Sequence, residues 1–141
     1  MSQGRRKARE LALQALYALE ISGEPPLECL EAILAHDPAD AEQAEYARRL
    51  VQGTVAALPS IDPLLERWSQ SWSLPRMAAV DRNLLRLGAY ELLHHEDVPR
   101  KVVLNEAVEI AKRYGDDKSA SFVNAILDKI RRASEEPEPP A

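Results

Sequence analysis

The spacing of apolar residues constrains the fold of this chain more than any other feature. From Ala8 to Leu19, apolar residues recur at i, i+3, i+4, i+7, i+8 and i+11, which places them in one stripe along a helix. Similar stripes continue almost to the C-terminus, without the alternation typical of strands. The Asn-Gly and Asp-Gly pairs that favour tight hairpins do not occur in the sequence. An all-α fold is therefore predicted.

Proline and glycine residues divide this pattern into about seven helices with short connections. Breaks are predicted at Gly23, Pro38, Pro59, Pro75 and Pro99. The predicted helices span about residues 4–21, 27–34, 40–58, 61–72, 77–93, 101–114 and 119–133. Together they should form a compact bundle in one domain, residues 1–133. Residues 134–141 are rich in Pro and Glu and are predicted to be disordered.

Charge is distributed unevenly along the chain. The net charge is −5, which argues against general coating of nucleic acid. Arg5, Arg6, Lys7 and Arg9 nevertheless precede the first acid, and nine acids without a single Lys or Arg follow from Glu10 to Glu45. The first helix therefore carries a basic end on an otherwise acidic chain.

The basic cluster, Arg5, Arg6, Lys7 and Arg9, has two interpretations on residues alone. It is either a solvated tail or a nucleic-acid site. Basic residues at a helix N-terminus oppose the helix dipole, so a nearby anion would relieve an unfavourable interaction. Single-stranded RNA is favoured over duplex DNA, because no recognition helix for a DNA groove is evident.

The face of the first helix opposite its apolar stripe carries Leu13 and Tyr17, with Gln14 beside them. If the stripe is the core face, Leu13 and Tyr17 should be exposed and could form a contact surface. Alternatively, the bundle buries this helix on two sides and Tyr17 belongs to the core.

Residue patterns typical of catalytic and metal sites are missing from the sequence. The five glycines are scattered rather than gathered in a phosphate-binding loop, and one cysteine with three histidines does not supply a structural zinc pattern. Cys29 is predicted to be a packing residue, and the His94-His95 pair a solvated helix end. We expect that the protein is not an enzyme and that it binds no cofactor or metal ion.

Targeting and membrane-spanning segments are also not indicated. No apolar stretch follows the basic N-terminus, and every longer apolar run is interrupted by charges. A single cysteine is compatible with a reducing compartment. The expected location is the cytoplasm.

Separate blocks of sequence resemble the NusB family of transcription antitermination proteins. The resemblance covers about residues 5–132, and the blocks occur in the family's order. They are RRKARE at 5–10, QALY at 14–17, VDRNLLRLGAYEL at 80–92, DVP at 97–99, VLNEAVEIAK at 103–112 and FVNAILD at 122–128.

This resemblance implies an all-α fold of two helical subdomains, about residues 1–58 and 60–133. It implies binding to the boxA element of ribosomal RNA leader transcripts, together with the ribosomal small-subunit protein NusE. It also implies assembly with RNA polymerase and other Nus factors, which suppresses termination and supports ribosomal RNA synthesis. Catalysis is not implied.

The resemblance also implies roles for individual residues. The basic cluster corresponds to the family's RNA-contacting arginines, and Phe122 to a second RNA contact suited to base stacking. Gln14 and Lys118 complete the expected RNA set. Lys118 stands where some relatives carry an acid, and this extra charge should strengthen RNA binding. Tyr17 and Asp81 correspond to the NusE-facing surface, while Asn105 and Glu106 should support structure. Burial in the core is the alternative for Phe122.

Two other interpretations compete with this one. Similar helical domains precede ribosomal RNA cytosine methyltransferases, although 141 residues leave no room for a cofactor-binding domain. The chain could also be a helical protein-interaction module, or a homodimer that hides its RNA face.

Overall fold

The computed structural model describes residues 2–70 and 72–135, and within them the chain is helical without strands. This confirms the all-α prediction, with six α-helices instead of about seven. A short 3-10 helix, Leu74–Arg76, lies between the third and fourth. The α-helices are α1 (Ser2–Ser22), α2 (Pro26–His36), α3 (Ala41–Ser69), α4 (Ala79–His94), α5 (Arg100–Tyr114) and α6 (Ser119–Glu135).

The break predicted at Pro59 is wrong, because α3 continues through both Pro59 and Pro63. An interior proline removes a backbone hydrogen bond and costs about 3 kcal/mol. Both prolines face solvent, whereas Ile61 and Leu65 on the other face are fully buried. Each buried side chain contributes about 1.5–3 kcal/mol, so packing offsets much of the cost.

Pro59→Ala is expected to raise the free energy of unfolding by about 2 kcal/mol. Alanine restores the amide that can bond to the Val55 carbonyl, while the unfolded chain regains about 1 kcal/mol of entropy. Urea denaturation measures the change, with Pro38→Ala, between α2 and α3, as the control. An equal or less stable Pro59→Ala variant would show that α3 is adapted to the proline.

Continuity of α3 also bears on the predicted subdomains, because one helix crosses the proposed boundary near residue 59. The division into two subdomains therefore stays a prediction. At the C-terminus, Ser134 and Glu135 belong to α6. The rest of the predicted tail, residues 136–141, lies outside the described residues.

Helix α1 contacts four other helices, α2, α3, α4 and α5, and is therefore buried on more than one side. The predicted apolar stripe is confirmed from Ala8 to Leu16. Leu13, expected on the exposed face, is buried, so that prediction is wrong. Tyr17 is 43% exposed, which decides between the two interpretations in favour of a surface position.

Helix α4 approaches α3 and α6 closely at two glycines. A Cβ atom at Gly53 would lie 2.0 Å from the hydroxyl of Tyr90, and one at Gly88 would lie 2.7 Å from a methyl group of Leu127. Helix α4 also contacts α1 and α5, and therefore lies among four other helices, α1, α3, α5 and α6.

The prediction of a solvated His94-His95 pair is half wrong. His94 is exposed, but His95 is buried where α4 ends, with its ring against Tyr46 and Tyr90. Burial lowers the pKa of His95 despite the nearby carboxylate of Glu91. Cys29 is buried, as predicted.

None of the helices in the described ranges is both long and apolar enough to cross a bilayer. Across those same ranges, no three His, Cys, Asp or Glu side chains are grouped as a metal ion would need.

Candidate RNA and protein interface

Three residues of the basic cluster lie half-exposed on the first turns of α1. The side chains of Arg5, Arg6 and Lys7 are 37%, 38% and 32% exposed. Each contacts an acid from elsewhere in the chain. Arg5 is 3.5 Å from Asp97, Arg6 donates to Glu106 at 2.7 Å, and Lys7 contacts the Asp37 carboxylate at 2.5 Å. These contacts orient the cations while leaving part of each to solvent.

Arg9, the fourth member of the cluster, is buried and only 2% exposed. Its guanidinium donates two hydrogen bonds to Glu91, at 2.7 and 2.6 Å, and the Tyr46 hydroxyl donates to the same carboxylate at 2.7 Å. Glu106 is also close, 3.8 Å from Nη1 of Arg9. This burial is incompatible with the RNA contact expected of Arg9, which we reassign to the core.

Electrostatics favour the charged form of Arg9 despite its burial. Desolvation alone would lower the pKa of Arg9, but the hydrogen bonds and charge of Glu91 outweigh it and raise the pKa. Sequence spacing did not indicate this burial, because Leu13, one turn after Arg9, was itself predicted to be exposed.

The buried residues around Arg9 also position the exposed side chains of Arg5 and Arg6. Arg5 lies over the ring of Tyr46, with 4.5 Å between the guanidinium carbon and the ring centre. Glu106, 2% exposed, binds Arg6 at the surface and lies beside Arg9 inside. Glu106 thus supports the structure by binding two arginine side chains.

A second candidate surface surrounds the start of α6. Phe122 is half-buried against the core, and Lys118 is exposed four residues earlier. Both line a cavity of about 350 Å³ together with Trp72, Arg76 and Asp81. Phe122 therefore belongs partly to the core and partly to an open cavity that also holds cationic side chains.

The helix predicted over residues 61–72 would place Trp72 on the same face as Ile61 and Leu65, in the core, and this prediction is wrong. Helix α3 ends at Ser69, so Trp72 lies beyond it and is 50% exposed. Its position on the Phe122 cavity could not be found from helical periodicity, because the residue is not helical.

Asp81 lines the same cavity as Phe122, although it was expected on the protein-partner surface. It is buried, and its Oδ1 atom has no hydrogen-bond partner within the described ranges. Burial raises the pKa of Asp81, and the carboxylate of Asp116 adds to this, outweighing the Ser119 hydroxyl.

Asp81→Asn is expected to make the protein more stable at pH 7. The folded-state pKa of Asp81 is raised, so its stabilising contribution is complete below the unfolded pKa of about 4 and is lost as pH rises through the folded value. A neutral amide removes that loss. Thermal unfolding should show a gain at pH 7 that shrinks towards pH 4, and a gain independent of pH would contradict this.

Tyr17 and Asp81 lie on neighbouring segments. Glu20, one turn beyond Tyr17, accepts hydrogen bonds at 2.7 Å from Arg82, which follows Asp81. Ile21, also on α1, is 71% exposed. The end of α1 and the start of α4 therefore form one surface with exposed apolar side chains.

Gln14 lies about two turns after Arg6, on the side of α1 that faces α5. Its amide is 3.4 Å from the hydroxyl of Tyr114 and is half-buried. The RNA role expected of Gln14 stays a prediction.

Comparison with known proteins identifies the family. The sequence model of the NusB family matches residues 6–132. Transcription antitermination protein NusB of Myxococcus xanthus is 44% identical over 137 residues, which cover 94% of this chain and 98% of that protein. Its counterpart in Desulfitobacterium hafniense is 48% identical over 131 residues, covering 89% and 86% respectively.

Solved structures agree with the sequence comparison. The structure of NusB from T. maritima has a TM-score of 0.85 and 44% identity, covering 91% of this chain and 90% of that one. NusB in a structure of antitermination factors NusB and NusE in complex with dsRNA has a TM-score of 0.87 and 32% identity, covering 94% and 99%. With residues 6–132 matched and these identities over nearly the full length, the chain belongs to the NusB family.

Proposed function

We propose that this protein is a transcription antitermination factor that binds boxA RNA of ribosomal RNA leader transcripts together with the ribosomal protein NusE. Bound in this way, it assembles with RNA polymerase and other Nus factors in the cytoplasm, suppresses termination and supports ribosomal RNA synthesis. The observation that carries the proposal is the trio Arg5, Arg6 and Lys7, three oriented and half-exposed cations in a member of the NusB family.

The RNA site has two parts in this proposal. Arg5, Arg6 and Lys7 neutralise phosphates, and their guanidinium and ammonium groups exchange a carboxylate within the chain for a phosphate of the RNA. Phe122 offers a half-exposed ring for base stacking, and Lys118 adds positive charge beside it. Arg9 has no direct contact with RNA and instead anchors α1.

A NusE-type partner would bind the surface formed by the end of α1 and the start of α4. The relative solved with NusE and dsRNA supports a NusE-type partner through its similar fold, and the choice of surface rests on exposed side chains. Tyr17 and Ile21 provide exposed apolar area, which contact surfaces typically use. Asp81 lies beside this surface and opens onto the Phe122 cavity.

The salt dependence of RNA binding tests how many cations participate. With three phosphate contacts and a single-strand slope of about −0.7 per contact, boxA affinity should fall roughly 20-fold between 50 and 200 mM salt. If Arg9 also contacted a phosphate, the four contacts would lower the affinity roughly 50-fold over the same range of salt. Fluorescence anisotropy with labelled boxA RNA, with and without NusE, measures the slope. An affinity independent of salt would contradict the phosphate contacts.

A protein-interaction module without RNA binding is the alternative. It is favoured by the acidic partners that Arg5, Arg6 and Lys7 already have within the chain. A homodimer could use the exposed Trp72 and Ile21. Light scattering with and without boxA RNA separates the two functions, because a persistent dimer that never binds RNA would exclude the RNA role.

A further inference from the structure

A cavity of about 630 Å³ lies between the first turn of α1 and the start of α3. The proposed RNA site uses only one of its lining residues, Arg5. Gly4 of α1 and Gln43, Tyr46 and Arg49 of α3 also line the cavity. Pockets for small ligands typically enclose roughly 300–1,000 Å³, so this cavity is large enough to hold such a molecule.

Two guanidinium groups approach the same tyrosine ring in this cavity. The guanidinium carbon of Arg5 lies 4.5 Å from the centre of the Tyr46 ring, and that of Arg49 lies 6.0 Å from it. Tyr46 is buried, and its hydroxyl donates a hydrogen bond to Glu91 at 2.7 Å, which holds the ring in place. Two like charges therefore meet at one fixed ring, an arrangement that an anion between them stabilises.

Both arginines also act together on His95. The His95 ring lies edge-on to Tyr46, with 5.6 Å between the ring centres. Burial lowers the pKa of His95, and the positive charges of Arg49 and Arg5 lower it further, against the opposite effect of Glu91. The positive potential of the two guanidinium groups thus extends to the buried rings beside the cavity.

The charge of Arg49 is not neutralised by a close acid. Among the described residues, Arg48 is paired with Glu31 at 2.6 Å, but Arg49, the next residue, has no carboxylate oxygen within 4.0 Å. Arg5 contacts only the exposed Asp97, at 3.5 Å. Arg49 is itself exposed, so its guanidinium is available to a ligand that enters the cavity.

Acidic side chains restrict which anions the cavity can accept. Asp40, Glu42 and Glu45 also line it. Asp40 accepts a hydrogen bond from the Gln43 backbone amide at 2.8 Å, and Glu45 lies 3.9 Å from Arg48. Carboxylates repel a phosphate that carries no other group, but they accept hydrogen bonds from hydroxyl and amino groups. A ligand with both phosphates and such donors suits the whole lining, and nucleotides have this combination.

We propose that the cavity between α1 and α3 binds a nucleotide, with its phosphates between Arg5 and Arg49. The two guanidinium groups donate hydrogen bonds to the phosphate oxygens, while the carboxylates of the cavity accept hydrogen bonds from ribose hydroxyls or from an amino group of the base. This site shares only Arg5 with the proposed RNA site and does not depend on RNA binding.

Arg49→Gln tests the phosphate contact. Calorimetric titration of ADP into the parent protein should show one site, and Arg49→Gln should weaken binding roughly tenfold or more, because charge-assisted hydrogen bonds are lost. Arg48→Gln is the matched control, since Arg48 is the neighbouring arginine and does not line the cavity. Equal affinity for ADP in the parent and in Arg49→Gln would overturn the proposal.

Gly4→Leu tests the position of the ligand without removing a charge. In the described part of the chain outside its own helix, a Cβ atom at Gly4 would meet only the side-chain amide of Gln43, at 3.9 Å. Because Gln43 also lines the cavity, the leucine side chain extends into it and should abolish binding of ADP. Gly4→Ala, the control, should retain most of the affinity. A folded Gly4→Leu variant that binds ADP like the parent would place the nucleotide elsewhere.

Adenosine and inorganic pyrophosphate test the chemical class of the ligand. Both should bind more weakly than ADP, because adenosine lacks the phosphates and pyrophosphate lacks donors for the carboxylates. Pyrophosphate that binds as tightly as ADP would overturn the nucleotide assignment. A parent protein that does not bind ADP at about 1 mM would also overturn it. If Arg49→Gln then weakened boxA binding, Arg49 would belong to the RNA site, and the proposed RNA function would stand.

Discussion

Replacing Arg9 with methionine is expected to lower the free energy of unfolding by about 3–5 kcal/mol, the cost of breaking a buried ion pair by removing one partner. The change would leave two buried carboxylates, Glu91 and Glu106, without the guanidinium between them. It would also remove two hydrogen bonds to Glu91. This is a large part of the 5–15 kcal/mol that stabilises a typical domain.

The control for Arg9→Met is Arg48→Met, which removes an arginine that is paired just as closely at the surface. Arg48 donates to Glu31 at 2.6 Å, but both side chains are exposed, so less than about 1 kcal/mol should be lost. Urea denaturation monitored by circular dichroism measures both variants. Equal losses in the two would show that the Arg9 network is not held in a desolvated core.

Neutralising the exposed basic residues should have the largest effect on RNA binding. In the variant Arg5→Gln/Arg6→Gln/Lys7→Gln, the electrostatic part of three phosphate contacts is lost. With a slope of about −0.7 per contact and no such contribution at 1 M salt, boxA affinity should fall roughly 500-fold at 50 mM and roughly 30-fold at 200 mM. Anisotropy titrations at both salt concentrations measure these losses.

The matched control for this triple variant is Arg67→Gln/Lys112→Gln/Lys129→Gln. It changes the net charge equally but alters exposed cations outside the proposed RNA site. A similar loss of affinity in both triple variants would mean that overall charge, rather than the cluster on α1, governs binding. Circular dichroism should show both variants folded, since glutamine at position 6 can still donate a hydrogen bond to the buried Glu106 carboxylate.

Local spacing was a good guide where one helix face meets one apolar surface. The stripe from Ala8 to Leu16 is buried, and Asp40, where the sequence predicts a helix to begin, caps α3, with its side chain accepting from the backbone amide of Gln43 at 2.8 Å. Both features depend on residues a few positions apart, so they are encoded locally. For Tyr17 the spacing left surface and core open, and only the structure shows that it is exposed.

Sequence patterns predicted the site less well than the fold, because the partners of its residues are distant in the chain. In the sequence, Arg9 does not differ from its basic neighbours, because its buried partner, Glu91, lies 82 positions later in the chain. His95 lies at a helix end, where solvent contact is usual, but Tyr46 of α3 covers it. Proximity of Asp81 to Phe122 likewise arises from packing between helices and could not be predicted from spacing.

By itself, the sequence determined that this chain is all-α, where most of its helices lie, and that a basic cluster begins the first of them. Only the tertiary structure decided which members of that cluster reach solvent and that α3 continues through Pro59 and Pro63. The physical reason is that helix formation and amphipathicity depend on neighbours within a few turns. Burial of a charge and tolerance of an interior proline depend instead on partners from distant segments, whose contacts outweigh local preference.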